Sequence, residues 1–277
     1  MNVLEFSLLV WVGSFLAGFL GALTGLGGGV VIVPLLTSVF GVDIRYAIGA
    51  SLVSVIATSC GAAATYIRQG YTNLRLGMFL EVATTIGAIV GAMLATMISV
   101  KLLTLVLAIV LLYSAYLAQQ SREEAIADQA ADPLTDELQL SSTYPTPDGQ
   151  MAYQVYSVPL GFSLMSVAGV LSGLLGIGSG ALKVLAMDQV MRLPFKVSTT
   201  TSSFTIGVTA AVSAGVYLSR GYIDPGLAMP VMLGVFPGAL LGAKVLMGTK
   251  VSVLRVVFSV VLVVMSFKMV YNAFGGV

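Results

Sequence analysis

The groups in this sequence best suited to hold a ligand are two glycine clusters, Thr24-Gly25-Leu26-Gly27-Gly28-Gly29 and Leu175-Gly176-Ile177-Gly178-Ser179-Gly180. A helix is not expected to run through either, because each interior glycine costs about 0.5–1 kcal/mol relative to alanine. Each cluster is followed by a short apolar run, Val30 to Phe40 and Ala181 to Met191. Either run would rise roughly 16 Å as a helix, about half a bilayer. A half-helix that begins at membrane depth presents unpaired N–H groups and the positive end of its dipole, which suits an anion. Irregular backbone is tolerated there only inside protein or along a water-filled cavity, so paired breaks of this kind point to a transporter's binding site. Close helix packing is the competing explanation, and it fits Gly87-x-x-x-Gly91 and Gly238-x-x-x-Gly242. It fits neighbouring glycines less well, since they point to different helix faces.

Charge inside an apolar segment is costly, which singles out Lys183 and Glu81. Lys183 stands three residues past Gly180, where its ammonium would reinforce the dipole; snorkelling to an interface or pairing with Asp188 is the alternative. Glu81 reads as an inward-facing proton-coupling carboxylate or, more simply, as an interfacial residue paired with Arg75 or another cation. Lys244 lies close enough to a segment end to snorkel. Hydroxyls gather in Ser198-Thr199-Thr200-Thr201-Ser202-Ser203 with Thr205, and more sparsely at Ser51, Ser54, Thr58 and Ser59. They can donate to an oxyanion without the desolvation cost of a charge, although bonding back to the helix backbone is the default for such side chains. The candidate anion-binding set is therefore Thr24, Gly27, Gly28, Gly29, Ser51, Gly178, Ser179, Gly180, Lys183 and Ser202, with Glu81 as the candidate for proton coupling.

The elements that must position these residues are membrane helices. Of the 277 residues 57% are apolar and 9% charged, against about a quarter charged in a soluble domain. Eight apolar runs, 7–24, 46–67, 74–98, 102–118, 157–175, 197–219, 225–247 and 251–271, have spanning length and lack the two-residue alternation of a barrel strand. Displacing the chain by 151 residues aligns its halves without a gap: Gly25, Gly27 and Gly29 fall on Gly176, Gly178 and Gly180, Ser51 on Ser202, Tyr66 on Tyr217, and Gly87 on Gly238. The expected organisation is a first transmembrane repeat over 1–119, an acidic linker outside the lipid over 120–155, and a second repeat over 156–277. Each repeat would hold four long helices and one glycine-interrupted half-helix. The linker carries seven carboxylates against Arg122 alone. Its Pro147-Asp148-Gly149 signals a hairpin, while its composition suits a flexible connector.

A net charge of +1 with scattered cations disfavours nucleic acid as a partner. The lack of histidine, with Cys60 as the lone cysteine, removes the usual ligands of zinc, haem or copper, so no cofactor or metal is expected. It also leaves no nucleophile with a base, which disfavours an enzyme. Only Glu5 precedes the first apolar core, so that segment is read as a helix of the mature protein rather than a cleaved signal.

At Gly25-Leu26-Gly27-Gly28-Gly29 followed by Pro34, with a second break in the other half, the sequence resembles the TauE/SafE-like sulfite exporter family, also called the toluene sulfonate uptake permease family. The resemblance spans nearly the whole chain apart from the linker. It implies transport of sulfite, sulfonates or related small organic anions across the cytoplasmic membrane, driven by a gradient of a coupling ion, proton or sodium. The second half departs from the pattern at Ser179, Lys183 and Leu185, the last facing Pro34 in the repeat register, so the substrate can differ from that of named members.

If each short run crosses the bilayer, every half has five spans and the second half is inverted. Arg68, Arg75, Arg122, Arg192, Lys196, Lys244, Lys250 and Arg255 then share one side, which would be cytoplasmic, with the termini outside. The expected fold is an all-α polytopic membrane protein of two inverted repeats, acting as a secondary transporter of a small anion by alternating access. An anion channel is the nearest rival, and a non-transporting membrane protein a more distant one.

Overall fold

The computed structural model describes residues 3–25, 27–95, 97–119, 132–146 and 149–274. The first half contains α1 (Val3–Thr24), the short α2 (Gly29–Ser38), α3 (Ile44–Arg68), α4 (Leu74–Leu94) and α5 (Val100–Gln119). A short α6 (Pro133–Glu137) and a hairpin of β1 (Ser142–Thr146) and β2 (Gly149–Tyr153) follow. The second half contains α7 (Val158–Leu175), the short α8 (Gly180–Leu185), a π-helical turn (Ala186–Val190), α9 (Phe195–Ser219), α10 (Pro225–Gly248) and α11 (Val251–Phe274). Six of these helices, α1, α3, α4, α7, α9 and α10, are long and apolar enough to cross a membrane. The other two expected spans coincide with α5 and α11, whose side chains are described only in part.

Polar residues start the helices where the apolar runs begin. Asp43 accepts from the Arg45 amide at α3, Asn73 from Leu76 at α4, and Asp224 from Gly226 at α10, each satisfying a donor that the first turn leaves open. Asn73 and Asp224 are 151 positions apart, as are Gly70 and Gly221, which turn the chain with φ of 76° and 73° just before them.

The long helices pair across the halves, α1 against α10 and α4 against α7. Lipid offers no hydrophobic gain for such pairs, so their stability comes from close backbone approach. A Cβ at Gly87 of α4 would strike the Ser166 carbonyl of α7, and one at Gly169 of α7 the Thr84 carbonyl of α4. The two helices run the same way, since Gly87 faces Ser166 and Gly91 faces Val170. α1 and α10 do likewise: Gly234, Gly238 and Gly242 meet the carbonyls of Trp11, Phe15 and Phe19. By contrast α5 and α11 run in opposite directions, with Ser266 donating to the Ala108 carbonyl at 2.8 Å and Ser259 to that of Ala115 at 3.3 Å.

From Asp132 onward the linker is folded, and its hairpin realises the turn signal, although Pro147 and Asp148 lie outside the described residues. It is fastened to the helices by buried polar bonds. The Asn73 amide nitrogen donates to the Leu140 carbonyl at 2.8 Å and to the Tyr153 hydroxyl at 2.9 Å, and Thr135 donates to the Val155 carbonyl at 2.7 Å. Burial pushes the Tyr153 phenol above its ordinary pKa, so it remains a neutral partner for Asn73. Leu140 and Val155 pack with Leu76, Leu80, Met187 and Met191, which seats the linker over the ends of α4 and the π turn. Asn73→Ala removes both the α4 cap and the anchor, and we expect a loss of about 2–4 kcal/mol. Thermal unfolding should register the loss, and limited proteolysis should cut the linker faster than in the wild type.

Candidate functional site

Both glycine clusters break their helices, and in matching ways. α1 ends at Thr24, and Gly25, Gly27 and Gly28 follow with φ of 75°, 81° and 71°. α7 ends at Leu175, and Gly176, Gly178 and Ser179 follow with φ of 66°, 73° and 46°. Left-handed backbone is nearly free for glycine and strained for serine, so Ser179 holds its conformation against a local cost. Leu26 lies outside the described residues, as does the side chain of Thr24.

The two breaks meet in the interior. A Cβ on Gly27 or on Gly178 would press on the same two side chains, Val55 of α3 and Ile206 of α9. A Cβ on Gly29 would lie 3.2 Å from the Ile177 Cα of the other break. Each break turns carbonyls out of its preceding helix, and serines from the opposite half satisfy them. Ser51 Oγ donates to the Gly176 carbonyl at 2.9 Å, and Ser202 Oγ to the Gly25 carbonyl at 3.2 Å. Each serine also lies 3.4 Å from the first carbonyl of its own half's short helix, Gly29 for Ser51 and Gly180 for Ser202. Both bonds of each set are related by 151 positions at donor and acceptor. The hydroxyl protons of Ser51 and Ser202 are thus committed to backbone, and their free lone pairs accept rather than donate. Ser179 and Thr199 differ: both hydroxyls are buried and have no hydrogen-bond partner among the described residues.

Beside the breaks lies a charged cluster assembled from three helices. Lys183 of α8 is fully buried, and its Nζ lies 3.2 Å from Glu81 Oε2 of α4. The same ammonium donates to Thr209 Oγ1 at 2.6 Å and to Thr205 Oγ1 at 3.4 Å, both on α9. The Glu81 carboxylate accepts from Thr209 at 2.6 Å and Thr84 at 2.8 Å, with Thr85 at 3.2 Å. Lys183 therefore uses all three of its donors, and Glu81 fills about four acceptor positions. Such saturation is what allows a carboxylate and an ammonium to coexist away from water.

The structure thus brings together Lys183 and Glu81, which a local reading of the sequence sends to other partners. Glu81 pairs with Lys183 and not with Arg75, whose guanidinium bonds the Gln139 side chain in the linker. Lys183 neither snorkels nor depends on Asp188, which holds a bond from Gln189 at 2.8 Å. Thr84, Thr85 and Thr209 are cluster members missed from the sequence. A helical wheel finds Thr84 and Thr85 three and four residues beyond Glu81, and Thr209 one turn beyond Thr205.

A multi-pass helical membrane protein with two apposed helix breaks and a saturated charge cluster in its interior is the class these features define. The chain belongs to the sulfite exporter TauE/SafE family, whose model matches residues 10–269. It is 26% identical over 277 residues to the "Probable membrane transporter protein YunE" of Bacillus subtilis (strain 168), covering 97% of this chain and 98% of that protein. It is 29% identical over 242 residues to the "Probable membrane transporter protein YdhB" of the same organism, covering 86% of this chain and 89% of that protein. No solved structure matches it. The cytoplasmic membrane is the usual location for this family.

Proposed function

We propose that the protein is a secondary transporter that moves a small anion, sulfite, a sulfonate or a related organic anion, by alternating access at the apposed breaks. The observation that carries this proposal is the convergence of two left-handed breaks on Val55 and Ile206. What adjoins the breaks supports it: α2 starts at Gly29, the buried Ser179 hydroxyl has no partner among the described residues, and Lys183 lies one turn into α8. Amide donors, a hydroxyl and a nearby ammonium suit an oxyanion. The Gly27 and Gly29 amides are taken by the Gly21 and Gly27 carbonyls, so the expected cradle narrows to Gly28, Gly178, Ser179 and Gly180, with Ser51 and Ser202 holding its two sides together.

The crossed pairing of α1 with α10 and α4 with α7 supports an inverted duplication, as do the opposed α5 and α11. In that arrangement α2 and α8 each cross back toward the side from which α1 and α7 start, and the linker shares the Arg- and Lys-rich side, which would be cytoplasmic. Arg122, one of these cations, lies outside the described residues.

Counterflow in proteoliposomes tests the proposal. Wild-type protein loaded with sulfite or ethanesulfonate should exchange labelled anion with saturation, whereas a channel would give no counterflow. Gly28→Leu should lower the exchange at least tenfold, because residue 28 has a φ of 71° and a Cβ there would lie 3.1 Å from Thr58 Oγ1. Exchange at the wild-type rate in that variant would remove the breaks from the transport path.

A further inference from the structure

The Lys183 cluster is an oxyanion site that already holds an oxyanion, the protein's own. We infer that the Glu81 carboxylate occupies the place of the transported anion, and that protonation of Glu81 releases Lys183, Thr84 and Thr209 to bind that anion. This rests on the proposed transport function and supplies its coupling.

The donor set supports the inference. Four hydrogen-bond donors from three helices converge on two carboxylate oxygens: Lys183 Nζ and Thr84 on Oε2, Thr209 and Thr85 on Oε1. A sulfonate or carboxylate presents the same kind of oxygen to the same donors. The cluster is also close to the breaks. Ser202 of α9 contacts the Gly25 and Gly180 carbonyls, and Thr205 and Thr209 follow it by about one and two turns, roughly 5 and 10 Å along the helix.

Charge balance then dictates a proton. The pair as it stands is neutral. A monovalent anion added beside ionised Glu81 would leave one uncompensated negative charge in the membrane interior, which is prohibitive. Placing the proton on Glu81 makes that side chain neutral and pairs the incoming anion with the Lys183 ammonium, so the loaded site is neutral again. One proton therefore accompanies each monovalent anion.

Among the described residues, no other charged group on the helices packed against α4 faces Glu81 to take this role. α7, packed on α4, has no ionisable side chain. On α9, Lys196 lies 9 residues before Thr205 and Tyr217 8 after Thr209, and Arg220 follows the helix 11 after Thr209, roughly 13, 12 and 16 Å along the axis. On α4 itself Arg75 is held by Gln139, and past Lys183 the next ionisable residue, Asp188, is held by Gln189. The corresponding place in the other half cannot substitute, because Lys183 and Thr84 fall in register on Ile32 and Val235, both in an apolar cluster.

Ethanesulfonate is the probe, since its own charge is constant between pH 5.5 and 8. In purified full-length protein, binding should take up one proton per anion, and affinity should fall about tenfold for each pH unit over which that uptake is seen. Glu81→Gln should bind the probe independently of pH, at the wild-type low-pH affinity, with no proton uptake. The double variant Lys183→Met with Glu81→Gln should remain folded, by size exclusion and melting, and should not bind at any pH. In proteoliposomes an inward gradient of one pH unit should concentrate the probe about tenfold in wild type and not at all in Glu81→Gln. Binding by the wild type without proton uptake, or pH-driven accumulation by Glu81→Gln, would overturn the inference while leaving the carrier intact. Absence of both binding and counterflow in wild type, for ethanesulfonate and sulfite alike, would overturn the inference and the transport function together. If Glu81→Gln does not fold, proton uptake by the wild type decides alone.

Discussion

Lys183→Ala is expected to destabilise the protein by about 3–5 kcal/mol, the range for removing one partner of a buried ion pair. The Glu81 carboxylate would keep its threonine donors but lose its counter-charge in a largely buried place. Thermal unfolding in detergent should show a large fall in melting temperature. Lys183→Met combined with Glu81→Gln should recover most of it, because a neutral pair of similar volume avoids the cost of burying an unpaired charge. The recovery separates structural need from transport: the double variant should be stable and inactive. A single Lys183→Ala variant that melts with the wild type would mean that the ion pair is not formed in the protein.

The second large effect is expected at the α4–α7 contact. Gly169→Val would drive its Cβ into the Thr84 carbonyl, and backbone on both sides leaves no flexible atom to move aside. The helices must separate, at about 1–3 kcal/mol or more. Thr84 donates to Glu81, so the displacement also distorts the charge cluster. Transport should fall further than stability alone predicts, measured as flux per correctly folded molecule. Gly18→Val at the corresponding α1–α10 contact meets the Val235 carbonyl and should cost similar stability without touching the cluster, which makes it the control for this prediction.

Much of the fold is legible in the sequence because lipid imposes a simple rule: long apolar runs become helices, and consecutive glycines break them. The positions of the helices and of the two breaks follow from that rule. The pairing of helices does not. Gly87 and Gly169 advertise close packing, but nothing in either segment names its partner. The charge cluster is hidden for a similar reason. Glu81 and Lys183 are 102 residues apart and belong to different halves, so the nearest opposite charges along the chain, Arg75 and Asp188, look like their partners. Comparing the halves does not help either, since both residues fall on apolar positions, Met232 and Ile32. Ser51 and Ser202 stand out through their shared register, yet their acceptors are carbonyls exposed by left-handed backbone, which no side-chain pattern records.

The crossed serine bonds have a consequence for the balance between the two ends of the molecule. Ser51 latches one half to the break of the other, and Ser202 does the reverse with a bond of the same kind. In the proposed alternating access, rocking the halves apart at either face would strain an equivalent latch, so the latches would favour neither outcome. Preference for one facing must then come from parts that have no counterpart. The folded linker, clamped by Asn73, and the Glu81–Lys183 pair are two such parts, and both load the α4, α8 and α9 side. A near-symmetrical machine with all its ballast on one side has a resting position, and shifting that ballast is how its direction could be reset.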